Sequence, residues 1–169
     1  MELKEIGTVC SDIKNFKDVC HLSRGWTADK CIIRLKSQYR RGLGGLKGYS
    51  HVIILFWINQ YKDWKAPKNA AKPKDVKVFA TRMPVRPNPI GLSVVELLDF
   101  STDEGTMAVK GLDAIDGSPV LDIKPYISHF DSYPESTVPE WLEKHIKEHH
   151  HGNGHGHAHT HGGAHSHDH

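Results

Sequence analysis

Polar and apolar residues alternate through Glu2–Cys10, and the same period of two returns at Lys30–Lys36 around Cys31, Ile33 and Leu35. Alternation of this kind predicts strands with one buried face, because successive side chains of a strand point to opposite sides. Val52–Ile58 is a nearly continuous apolar run, which predicts a strand buried on both faces. Val76–Thr81, Leu92–Phe100, Met107–Leu112 and Val120–Ile123 add short stretches rich in Val, Ile and Leu, with Pro, Gly and Asp between them. The rhythm predicts a mainly β protein, a small antiparallel barrel-like domain. It does not suggest a dinucleotide-binding α/β domain: no strand is followed by G-x-G-x-x-G, and the helices that a parallel sheet requires are not written into the pattern.

One helix signal comes late. Thr137-Val-Pro-Glu140 has the form of a capping box, Pro139 is tolerated in a first turn, and Trp141, Leu142, His145 and Ile146 then share a helical face. From His149 onward only Gly, His, Ala, Ser, Thr, Asn and Asp occur, with ten histidines in twenty-one residues. Such a segment cannot bury a core and is expected to be disordered. The organisation read from the sequence is a barrel domain over residues 1–135, a helix over 136–148 and a His-rich tail over 149–169. In that tail His155, His157, His159, His161, His165, His167 and His169 alternate with small residues. A flexible chain can wrap several neutral imidazoles around nickel, copper or zinc, and so loose a spacing does not choose among them.

At 169 residues the chain is long enough to bury a core in one domain. The formal net charge of +2 hides an imbalance: residues 1–90 hold 18 Lys and Arg against 7 Asp and Glu, whereas residues 91–148 hold 4 against 12. The basic half is where a polyanion would bind, an ordinary solvated face being the alternative. Arg40 and Arg41 belong to it, as do the six lysines of Lys62–Lys77, which are opposed only by Asp63 and Asp75. Arg40–Gly45 lacks the G-K-[ST] ending of a phosphate-cradling loop and reads as a flexible basic connection. Cys10, Cys20 and Cys31 form an odd set with no C-x-x-C pair, and charges break the opening MELKEIG. A reduced, cytoplasmic protein is expected. No apolar stretch approaches the roughly 20 residues of a membrane helix, so no membrane partner is expected.

Two segments carry candidate chemistry. In Phe79–Ser93, Pro84, Pro87 and Pro89 fix their own φ angles and bias the preceding residues to extended conformations. The loop should be stiff, displaying Arg82, Arg86 and Asn88 either to a ligand or simply to water. In Asp113–Tyr126, Asp116-Gly117 is a turn signal, and Asp113 either satisfies the turn backbone or joins Asp116 in gathering a nucleoside or a cationic sulfonium.

The runs Phe79-Ala-Thr-Arg82, Arg86-Pro-Asn-Pro-Ile-Gly-Leu-Ser-Val-Val-Glu-Leu97 and Asp113-x-x-Asp-Gly-Ser-Pro-Val-Leu-Asp-Ile-Lys-Pro-Tyr126, with Gly44-Gly-Leu-Lys-Gly-Tyr-Ser-His-Val-Ile-Ile-Leu-Phe56 before them, resemble the blocks of the TsaA-like family of S-adenosylmethionine-binding tRNA methyltransferases. The resemblance spans residues 3–128. It implies a small barrel, a homodimer with the cofactor near the subunit interface, and methylation of the exocyclic nitrogen of threonylcarbamoyl-adenosine beside the tRNA anticodon. Carried over by position, cofactor contacts fall at Asn59, Gln60, Arg82, Leu92, Asp113, Ala114, Ile115 and Asp116. Substrate contacts are expected at Arg86, Asn88, Lys124 and Tyr126; no catalytic residue is assigned. The chain departs from the family pattern at Cys20–Trp26, where members have a proline- and arginine-rich loop, and at Asn59, where His is expected. The departures, with the His-rich tail, leave open a regulatory or metal-handling protein that binds the cofactor without transferase activity.

Overall fold

The computed structural model describes residues 2–15, 18, 19, 30–61 and 73–150. Six strands, β1 (Gly7–Cys10), β2 (Cys31–Leu35), β3 (His51–Trp57), β4 (Ile90–Ser101), β5 (Thr106–Lys110) and β6 (Pro119–Pro125), close into a barrel in the order β1-β2-β5-β4-β3-β6. Every pairing is antiparallel. The predicted alternation sorts residues inward and outward: Val9, Ile33, Val52, Ile54, Phe56, Val95, Met107, Val109 and Val120 fill the interior.

Three sequence expectations are corrected. The β3 run is not buried on both faces: Val52, Ile54 and Phe56 point inward, while Ile53, Leu55 and Trp57 are half-buried on the outer wall. Val76–Thr81 is not a strand but contains a 3-10 turn, Val78–Ala80; it is not among the six paired strands of the barrel, and Phe79 is 82% exposed. The basic connection after β2 is a 3-10 helix, Ser37–Leu43. It is ordered because Leu43 and Leu46 bury themselves in the barrel core, with i to i+3 bonds such as Gly44 N–H to the Arg41 carbonyl at 3.1 Å.

A short helix α1 (Ser128–Asp131) follows the barrel, and the late helix α2 runs over Glu140–His150. Its first turn hangs on the Pro139 carbonyl, which accepts from the N–H groups of Leu142 and Glu143 at 2.9 and 3.1 Å, so Thr137 is not the cap. It ends beyond the expected residue 148. Among the described residues no helix is long and apolar enough to cross a membrane.

At one point the barrel interior is filled by an aromatic ring lying on a glycine. Phe56 pairs with Gly91 across β3 and β4, and a Cβ at position 91 would lie 2.3 Å from the Phe56 ring. Phe56 is only 5% exposed, so the ring has no space to retreat into. Gly91→Ala is expected to cost about 2 kcal/mol through overpacking, and combining it with Phe56→Leu should cost less than the sum of the two single changes. Denaturant titration of the four proteins measures this coupling.

Candidate functional site

Antiparallel pairing brings the ends of β1, β3 and β5 and the starts of β2, β4 and β6 to one mouth of the barrel. The turn after β5 is the hub of this mouth. Asp116 N–H donates to the Ile13 carbonyl and Gly117 N–H to the Val9 carbonyl, both at 2.8 Å. The Asp116 carboxylate accepts from Ser11 N–H at 3.0 Å and from Lys14 Nζ at 2.8 Å, and its carbonyl accepts from Gln60 Nε2 at 2.7 Å. Gly117 holds φ +79°, a left-handed conformation that suits glycine. The Lys14 ammonium first, then the Ser11 N–H, hold the Asp116 carboxyl below the usual range. Lys14 is correspondingly raised by its bond to Asp116.

Asp113 plays a different part. Its Oδ1 accepts a short hydrogen bond from Ser93 Oγ, and Ser93 is a buried polar residue on the inner face of β4. No hydrogen bond among the described residues engages Asp113 Oδ2. Ala114 and Ile115 are buried, so a ligand could meet only their backbone, and there the Ala114 carbonyl already accepts from Ser11 Oγ at 3.1 Å. The backbone-satisfying role considered for Asp113 therefore falls to Asp116.

The proline loop enters the same mouth through Ile58 N–H, which donates to the Pro89 carbonyl at 2.8 Å. Arg86 does not simply face outward: its Nη1 donates to the carbonyls of Thr81 and Met83 at 3.0 and 3.2 Å, bracing the loop that carries Arg82. Arg82 and Asn88 are exposed; the Asn88 carbonyl accepts from Ile90 N–H at 2.8 Å. Asn59 is exposed beside Gln60.

Leu92, half-exposed, stands on the outer wall of β4 opposite Leu55, which faces Asp122. Lys124 is one strand row further, ion-paired to Asp122 at 2.5 Å. Tyr126 lies beyond it against His51, ring centroids 6.3 Å apart. Closeness in sequence to Asp116 therefore does not bring Lys124 and Tyr126 to the mouth of their own chain; β6 carries them toward the other end at about 3.3 Å per residue. Sequence reasoning missed Ser11, Lys14 and Ser93. Only Ser93 lies in a motif block; Ser11 and Lys14 meet Asp116 across more than 100 residues of chain. The tail histidines proposed for metal, His155 to His169, and the variant loop Cys20–Trp26 lie outside the described residues. Among the described ones no cluster of three or more His, Cys, Asp or Glu could hold a metal.

Residues 8–132 match the tRNA-methyltransferase O N-terminal domain. The chain belongs to this family. The fold agrees: the chain of the crystal structure of TrmO from Pseudomonas aeruginosa superposes with a TM-score of 0.67 at 31% identity, covering 81% of this chain and 60% of that one. Family relatives include a probable S-adenosyl-L-methionine-binding protein of Methanothermobacter thermautotrophicus, 36% identical over 138 residues, 78% of this chain and 94% of that protein. A second, from Archaeoglobus fulgidus, is 38% identical over 150 residues, 85% of this chain but 38% of the other. The tRNA (adenine(37)-N6)-methyltransferase of Rattus norvegicus is 41% identical over 138 residues, 78% of this chain and 29% of the enzyme. The chain thus spans well under half the length of the tRNA-methyltransferase O family enzyme it matches here.

The Asp116 contacts give this family member a pH signature. A carboxyl held below its ordinary range stabilises the fold above the pKa of the unfolded chain, and that contribution is lost as pH falls through the folded value. Lys14, raised, contributes below its unfolded value and loses it as pH rises through the folded one. Asp116→Asn keeps an acceptor for Ser11 N–H and loses the ion pair; Asp116→Ala loses both. Melting temperatures from pH 2 to 7 should rank wild type above Asn above Ala at neutral pH, and the gap between wild type and Asn should close toward pH 2.

Proposed function

We propose that the protein binds S-adenosylmethionine at this mouth and methylates the exocyclic nitrogen of a threonylcarbamoyl-adenosine next to the tRNA anticodon. The observation that carries the reading is the gathering of Gln60, Asp113 and Asp116 at one barrel mouth in a chain of the tRNA-methyltransferase O family. The residues fit such a cofactor. Asp113 has a carboxylate oxygen available to ribose hydroxyls, Arg82 has no hydrogen bond or ion pair among the described residues, and exposed Leu92 offers apolar surface. When bound, S-adenosylmethionine supplies an electrophilic methyl group on a sulfonium, so transfer depends on positioning rather than on a protein nucleophile.

The chain's own residues do the positioning. Ser93 fixes the rotamer of Asp113, Arg86 stiffens the loop that presents Arg82, and the Asp116 crosslink holds Gln60 against the turn. Asn88 and the guanidinium of Arg86 face the substrate side in this reading, with Lys124 and Tyr126 contributed from the outer wall. Of the two carboxylates, Asp113 is the one available to a ligand, since both oxygens of Asp116 are already bonded.

The outer wall supports a homodimer. Ile53, Leu55 and Trp57 of β3 lie beside Val94, Leu92 and Ile90 of β4, and the three β4 residues are 38%, 50% and 39% exposed. A contiguous apolar wall with the Asp122–Lys124 pair on its β6 side has the composition of an interface with a polar rim. Covering it would also close the surface around Leu92.

A second reading, cofactor binding without transfer, is supported by the compact Methanothermobacter relative named as an S-adenosyl-L-methionine-binding protein. Incubation with labelled S-adenosylmethionine and threonylcarbamoylated tRNA separates the two: label in the modified nucleoside supports the transferase, and calorimetric binding without label supports the alternative. Arg82→Ala is expected to weaken cofactor binding about tenfold, near 1.4 kcal/mol, with an unchanged melting temperature. Unchanged affinity would remove Arg82 from the site. Val94→Asp should convert a dimer seen by light scattering into a monomer; a wild-type monomer at micromolar concentration would end the dimer proposal.

A further inference from the structure

The opposite mouth of the barrel holds a second polar cleft, of about 820 Å3, lined by Ser37, Gln38, Arg40 and Arg41 of the 3-10 helix and by Thr102 and Asp103 of the β4–β5 turn. Its walls are fixed by short-range packing. Arg40 Nη1 donates to the Asp103 carbonyl at 2.7 Å and its Nε to the Ser37 carbonyl at 3.2 Å. The turn is closed by Gly105 N–H to the Ser101 carbonyl at 2.9 Å and tied to β2 by Leu35 N–H to the Gly105 carbonyl at 2.8 Å. Gly105 sits so close that a Cβ there would lie 3.1 Å from the Arg40 Cβ. Arg40 is thus held in place, with Arg41 exposed next to it.

The chemistry of the lining selects an anion. Neither guanidinium is paired with a carboxylate, for the ion pairs among the described residues all use lysines. Two hydroxyls and an amide supply neutral hydrogen-bonding groups, and Asp103 is the one acidic side chain in the lining. Arg34 on β2 is exposed on the outer wall beyond the cleft, while Lys110 on β5 stands opposite exposed Glu96, so the positive charge is concentrated at the cleft; the β3–β4 wall is apolar.

We propose that this cleft is a phosphate-binding subsite for an RNA chain, gripping its backbone far from the nucleotide at the cofactor mouth. The inference rests on the tRNA reading above. Along β4 nine residues lead from Ser93, bonded to Asp113, to Thr102 of the cleft, and at about 3.3 Å each, with the tilt of barrel strands, they separate the two sites by roughly 20–25 Å. That distance is several phosphate spacings along a nucleic-acid backbone. Phosphate contacts so far from the reacting base set register and affinity without reading sequence. The cleft would therefore distinguish RNAs by length and shape.

The test uses the full chain and measures RNA binding directly, without cofactor, by fluorescence anisotropy at several salt concentrations. Two RNAs are compared: a full-length tRNA and a stem-loop too short to span both mouths. Arg41→Glu should weaken full-length tRNA about five- to tenfold and reduce the log–log salt slope by about 1, leaving the short stem-loop and S-adenosylmethionine affinity unchanged. Asp103→Asn, which removes the acidic group from the cleft, should tighten full-length tRNA two- to threefold, an order-of-magnitude expectation for one charge. Thermal melts establish that both variants are folded. Equal tRNA affinity and salt slope for Arg41→Glu and wild type would overturn the proposal, as would an equal loss on both RNAs or absence of any tRNA binding by the wild type. If wild type binds tRNA and the variants respond as expected but no label is transferred, the transferase reading fails and the cleft stands. If label is transferred and Arg41→Glu is indifferent, the cleft alone fails.

Discussion

The seam between β1 and β6 closes the barrel with only two partnered residue pairs, Gly7 with Val120 and Thr8 with Pro119, against seven for β3 with β4. So short a ladder is extended at its β1 end by the turn after β5. Val9 N–H donates to the Ser118 carbonyl, Gly117 N–H returns to the Val9 carbonyl, Asp116 N–H reaches Ile13, and the Asp116 carboxylate receives Ser11 N–H. The turn that carries the candidate site residue Asp113 is therefore also the clasp of the barrel. Stability and the candidate site share one set of hydrogen bonds, and a change at Asp116 acts on both. Asp113 is freer to serve a ligand because the clasp does not use it.

Closure has a second consequence. Every strand has two neighbours, so most of the backbone is paired and the main surface left to manage is the outside of the wall. On β3 and β4 that outside is apolar, and this is why the Val52–Ile58 run looked buried on both faces: its outward residues are as hydrophobic as its inward ones, so alternation is hidden. Ile53, Leu55 and Trp57 carry information about a covering surface rather than about the core. Leu92 is on the same wall, which joins the cofactor expectation and the dimer expectation in one place.

Much of the fold was legible because alternation in β1 and β2 maps directly onto the inner and outer faces. The errors have local causes. Val76–Thr81 has strand composition but pairs with no strand, and a single-segment pattern carries no information about available partners. Leu43 and Leu46 were hidden among glycines and arginines, yet two buried leucines suffice to order the 3-10 helix. At the site, the motif blocks named Asp113 and Asp116 but not their different work, because Ser11 and Lys14 approach Asp116 from the far end of the sequence. Register decided the fate of Lys124 and Tyr126, which follow Asp116 closely along the chain and leave it along β6.

In the proposed function the two mouths would divide the demands of acting on a large RNA. Groups that meet a reacting nucleotide need fixed geometry, and the clasp provides it through hydrogen bonds to Asp116 and Ser93's bond to Asp113. Groups that hold an RNA backbone need positive charge left without an internal counterion, and Arg40 is anchored by carbonyl acceptors rather than a carboxylate, with Arg41 exposed beside it. Had Asp103 accepted Arg40 through its side chain instead of its backbone, the cleft would be neutralised and useless for a phosphate. Anchored on a carbonyl, the same guanidinium is held in place without a carboxylate counterion on it. That choice of acceptor, more than the number of basic residues, separates the Arg40–Arg41 cleft from an ordinary solvated basic surface.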